Sequence, residues 1–176
     1  LPGAVMLTTT CILTPALADR IGQRRALLTC HLAMACGLAL LLLTGVTGGV
    51  GWFIASTVVA GLGYGISFSL VADTAVGAVP VERAGAAGAI AETSNEVGNA
   101  LGIALLGSTA TFVFRLRGPG VAPTLGETLD VGAASSTINQ AKEAFVDGFH
   151  LAVALAVLLC AGLGALAFRW LPHPGE

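Results

Sequence analysis

Charge is what this chain has least of. Lysine, arginine, aspartate and glutamate make up 10% of its 176 residues, against about a quarter in soluble domains. So few charged side chains cannot clothe a water-exposed globule. Eight basic and ten acidic residues leave a net charge of −2, which gives no sign of nucleic-acid binding. Cysteine is sparse too. Cys11, Cys30, Cys36 and Cys160 lie in apolar runs without a CxxC pair, so they read as small hydrophobes, not disulfides or metal ligands. No Ser/His/Asp set, metal-ligand spacing or P-loop occurs, so neither an enzyme nor a bound cofactor is expected. A signal peptide is lacking and the first residue is Leu1, not methionine. The expectation is a fragment, or a chain whose start is missing.

What is there is apolar. Hydrophobic residues make up 55% and mean hydropathy is +0.87. That composition predicts an all-α, polytopic membrane bundle of five transmembrane helices, a single membrane domain with the lipid bilayer as its main partner. The spans are expected at about 1–18, 26–43, 52–72, 87–114 and 149–169, with a long polar loop over 118–147. A short helix is expected in that loop, over Ser136–Phe145. Trp52 is placed to anchor the third span at an interface.

Orientation follows from arginine and lysine. One side collects Arg20, Arg24, Arg25, Arg83 and Arg169; the other has Arg115, Arg117 and Lys142. The richer side is expected in the cytoplasm. The N-terminus is then outside, the C-terminus cytoplasmic and the 118–147 loop outside, in a multi-pass protein of the plasma membrane.

The fourth span carries the chemistry. Glu92, Asn95, Glu96 and Asn99 are three or four residues apart, so they share one helical face. A span needs about 20 residues at about 1.5 Å each. Counting back from Phe112 puts Glu92 at the inner edge of the hydrocarbon and Glu96 about one turn inside it. Carboxylates in lipid are costly, and by default they mark function. The bland alternative is a snorkelling, interfacial Glu92 with Glu96 in a structural helix–helix bond.

Other features have plainer readings. Gly61-x-Gly63-x-Gly65 sits inside an apolar span, not between a strand and a helix, so it does not read as a nucleotide loop. Gly61 with Gly65, and Gly98 with Gly102, make small-xxx-small faces for close helix packing. His150 opens the fifth span as an interfacial histidine with a structural bond, rather than as a proton carrier.

Two motifs point to a family. Asp19-Arg20-x-Gly22-x-Arg24-Arg25, between two spans, resembles the cytoplasmic loop signature Gly-xxx-Asp-Arg-x-Gly-x-Arg-Arg of the major facilitator superfamily, with Pro15 in place of the first glycine. Physically, Gly22 allows the tight turn, and Asp19 can pair with an arginine or a helix terminus. The stretch Ala91–Ser108 resembles the penultimate span of the fourteen-span drug:proton antiporters, where Glu-Thr-Ser-x-Glu-Leu-Gly-x-Ala-Leu-Gly recurs and Val97 here replaces the leucine. The resemblance covers essentially the whole chain, as the last five spans of such a transporter. It implies export of small lipophilic or cationic compounds driven by the proton gradient, with the missing N-terminal half as partner and Asp19, Arg20, Gly22, Arg24 and Arg25 as a cytoplasmic gating loop.

The residues suggest how. Low dielectric disfavours the charged form of a carboxyl, and a second carboxyl nearby adds to this. Glu96 and Glu92 would couple to protons, while Asn95 and Asn99 face the substrate cavity. Five spans cannot enclose such a cavity, so the chain alone is expected to be transport-incompetent. The rival reading is a non-transporting membrane subunit or truncated relic whose polar stripe serves helix association.

Overall fold

The computed structural model describes residues 2–170. Five of its helices are long and apolar enough to cross a membrane, and no strand occurs among the described residues. In chain order they are α1 (Pro2–Ile21), α2 (Gln23–Leu40), α3 (Val50–Gly77), α4 (Ala84–Arg117) and, after the short α5 (Leu125–Asp130), α6 (Ser135–Trp170).

Their polar content is satisfied locally, as lipid requires. In α1 the Thr8 hydroxyl donates to the Ala4 carbonyl at 3.0 Å and the Thr14 hydroxyl to that of Thr10 at 2.7 Å. Pro15 lacks an N–H, yet α1 continues through it to Ile21. The break comes at Gly22, whose φ of +83° favours a residue without Cβ. Its N–H still reaches the Ala18 carbonyl at 2.9 Å, and its own carbonyl accepts from Ala26 at 3.0 Å. One residue therefore turns the chain from α1 into α2.

The bundle is built outward from α3. It lies between α1 and α2, α2 packs on α6, and α6 packs on α4, which also meets α3. Glycine sets the first two distances. A Cβ at Gly61 or Gly65 would come 2.6 or 2.5 Å from the carbonyl oxygens of Gly3 and Leu7 on α1. A Cβ at Gly63 would come 2.5 Å from the Cys30 carbonyl oxygen on α2. Residues two apart on a helix point to nearly opposite sides, so Gly-x-Gly-x-Gly lets α3 be gripped from both. Below this contact Ala26, Cys30, Ile66 and Leu70 form a small buried core flanked by Leu17 and Ile21.

The helices run past the expected spans. α3 reaches Gly77 rather than 72, α4 covers 84–117 rather than 87–114, and α2 gives way at Leu41–Leu43 to a 3-10 turn. The larger departure is at 118–147, expected as a polar loop. There α5 forms behind a Thr124 cap, whose hydroxyl accepts from the Glu127 N–H at 3.2 Å. The expected short helix is the opening of α6, continuous with the last span. The reason is an apolar face hidden in a polar stretch: Ala141 and Ala144, three apart, are buried on Phe114 at the end of α4, with Leu125 of α5 beside them.

Candidate functional site

The site is built on α4. This helix starts after a 3-10 turn at Val81–Arg83 and stops at Gly118, where the chain turns extended. Its C-terminal end is fixed to α6. Val113 and Phe114 are buried, a Cβ on Gly148 would meet the Ala110 carbonyl oxygen at 2.6 Å, and the Arg117 guanidinium donates to the Asp147 carboxylate at 2.7 Å. Its N-terminal end is joined to α3 by the short 78–83 link.

Between those ends lies the polar stripe. Counting by threes and fours from Glu92 through Asn95, Glu96, Asn99 and Leu106 leads to Ala110, Val113 and Phe114. The stripe thus shares the azimuth that packs on α6 farther up, the bundle side of α4. It is not covered there. Glu92, Glu96 and Asn99 are exposed and Asn95 is half-buried.

The N-terminal half of the stripe faces α3. Glu92 and Asn95 line a cavity of about 150 Å³ with Gly88 and Ala91 of α4 and with Tyr64, Ser67, Phe68 and Val71 of α3. The Tyr64 and Phe68 rings are stacked, with centroids 6.3 Å apart and planes at 26°. Asn95 also lines an open groove on the next side of α4, with Val71, Ala75 and Ser94. Glu96 and Asn99 continue the stripe above this cavity without lining it. Sequence reasoning missed Tyr64 and Phe68. Their spacing of four marks a shared helical face, but nothing local says that it meets Glu92.

The glycines divide. Gly61 and Gly65 sit against α1, as above. A Cβ at Gly98 or Gly102 would meet nothing within 4 Å, so the packing expected there is not made by any described helix. The α1–α2 turn lies at the end of the bundle where α3 and α6 finish. Asp19, Arg20 and Arg25 are exposed there. The Arg24 guanidinium lies over the Phe168 ring at 4.0 Å from its centroid, and the Gln23 amide donates to the Thr74 hydroxyl. The turn thereby ties α2 to the ends of α6 and α3. At the other end of the bundle the His150 Nε2–H donates to the Thr44 carbonyl at 2.8 Å.

Long apolar helices in a packed bundle, with a carboxylate stripe on one of them, define a multi-pass membrane protein. The family is shown by comparison. Residues 1–103 match the model of the Major Facilitator Superfamily, and the chain belongs to that family. It is 30% identical over 189 residues to the multidrug efflux pump LfrA of Mycolicibacterium smegmatis, a match covering 96% of this chain and 38% of the pump. The chain thus spans little more than a third of the length of that curated relative. No solved structure matches it.

Proposed function

We propose that the chain is the C-terminal part of a fourteen-span, proton-coupled exporter of small lipophilic or cationic compounds in the plasma membrane, and that it does not transport alone. The observation that carries this reading is the shared cavity of Glu92, Asn95 and the α3 aromatic pair, with Glu96 and Asn99 extending the stripe along α4. The name of its relative, a multidrug efflux pump, agrees with it.

The chemistry follows from the side chains. Deprotonated, the carboxylates attract a cation from the inner side, and Glu92 meets it first. Protonation from outside neutralises the stripe and releases the cation. A protonated Glu96 then gains an O–H donor, which the side-chain carbonyl of Asn95 or Asn99 can accept. Loss of the proton to the cytoplasm resets the site. Rocking of this part against the N-terminal half, around a midplane site, supplies alternating access.

Proteoliposomes holding the full-length transporter that contains this chain test the reading. An imposed pH gradient is expected to drive uptake of a lipophilic cation, and a protonophore to stop it. Transport at the same rate without the gradient would overturn proton coupling. The chain alone is expected to give none. For orientation, a single cysteine at Ser135, with Cys11, Cys30, Cys36 and Cys160 replaced, is expected to react with an impermeant maleimide in intact cells. Labelling only after permeabilisation would place 118–147 inside.

A further inference from the structure

We infer that Tyr64 and Phe68 form a stacking platform that selects planar aromatic cations over aliphatic ones at the Glu92 end of the cavity. The inference rests on reading the α3–α4 cavity as a substrate site, and it names what that site distinguishes. Three observations carry it.

The first is direction. α3 gives glycine faces to α1 and α2 and turns its rings to the remaining side, toward α4. Tyr64 is 37% and Phe68 50% exposed there, so neither ring is spent on the core. The second is size. A cavity of about 150 Å³ is that of an apolar site which takes up a benzene-sized molecule, whereas whole drug-sized ligands occupy about 300–1,000 Å³. The cavity therefore accepts one ring or the edge of a fused system. The rest of the molecule would lie along the open groove past Asn95.

The third is charge. Among the described residues lining the cavity, Glu92 is the one charged side chain, with Ser67 and Asn95 as neutral polar neighbours. A planar aromatic cation gains from both walls: its charge from Glu92, its face from rings whose π clouds favour offset stacking and cations. An aliphatic ammonium is held mainly by the carboxylate. A neutral aromatic has only the rings.

The test measures binding by the chain itself, in phosphatidylcholine nanodiscs, with N-methylacridinium and tetrabutylammonium as probes. Phe68→Leu is expected to weaken N-methylacridinium about tenfold, the size of a desolvated ring contact, and tetrabutylammonium less than about twofold. Phe68→Trp should keep N-methylacridinium binding, which shows that the site is still folded. Glu92→Gln should weaken both cations alike. The inference is overturned if the parent chain does not bind N-methylacridinium, if Phe68→Leu weakens both probes equally or neither, or if Phe68→Trp loses binding with it. Because the readout is binding and not transport, a failure of proton coupling leaves this result standing. A failure here leaves the pH-gradient experiment to decide by itself.

Discussion

If the chain belongs to a proton-coupled exporter as proposed, Glu96→Gln in the full-length transporter is expected to abolish export while leaving membrane insertion intact. Glutamine keeps the size and hydrogen-bonding shape of glutamate but cannot titrate. An acidic residue at the centre of a spanning helix costs about 2.5–3.5 kcal/mol on insertion, and less nearer the edge. Removing it should therefore hold or raise expression, so lost transport cannot be laid to misfolding. Glu92→Gln is expected to do less to proton coupling, because Glu92 stands a turn closer to the start of α4 and lines the cavity with α3. Export at the parent rate with an unchanged pH dependence in Glu96→Gln would make this carboxylate structural. Helix association would then be the better reading of the stripe.

Gly63→Val is expected to have the largest effect on the fold. Glycine in a helix interior is about 1 kcal/mol less favourable than alanine, so a substitution at an open site gains. At Gly63 the added Cβ would stand 2.5 Å from the Cys30 carbonyl oxygen and 2.8 Å from the Met34 backbone nitrogen. Both are backbone atoms of α2 and cannot rotate away; only separation of the helices relieves the clash. Overpacking of this kind costs about 1–3 kcal/mol, occasionally more. A clear fall in the thermal unfolding midpoint in detergent checks it, and an unchanged midpoint would mean that α2 and α3 are not held together here. Gly98→Val is the contrast. It meets nothing within 4 Å and should hold or slightly raise the chain's own midpoint. If it harms only the full-length protein, something outside this chain lies on that face.

How much of this could be read beforehand varied with the range of the interaction. Five apolar runs of spanning length and the spacing of Glu92, Asn95, Glu96 and Asn99 are local properties, and periodicity reports them. Gly61 and Gly65 announce a close face for the same reason. Gly63 was passed over because a small-xxx-small pattern describes one contact, whereas α3 is held on two sides. The opening of α6 reads as a separate short helix in a polar loop because its outward residues are polar, whereas it is continuous with the last span. Only the burial of Ala141 and Ala144 on Phe114 shows why it is helical. The pairing of Tyr64 and Phe68 with Glu92 is long-range and left no mark in either stretch.

The way α4 is held has a mechanical consequence. At one end it is clamped to α6 through Phe114, Ala110 and Arg117. At the other it is tethered to α3 by the 78–83 link. It behaves as a strut fixed at both feet across an open bay, and its carboxylates hang in the unsupported middle. A swing of α4 by itself would have to break the Phe114, Ala110 and Arg117 contacts with α6. On the proposed transport cycle the stripe therefore moves only with this bundle as a whole, as one wall against which another part rocks.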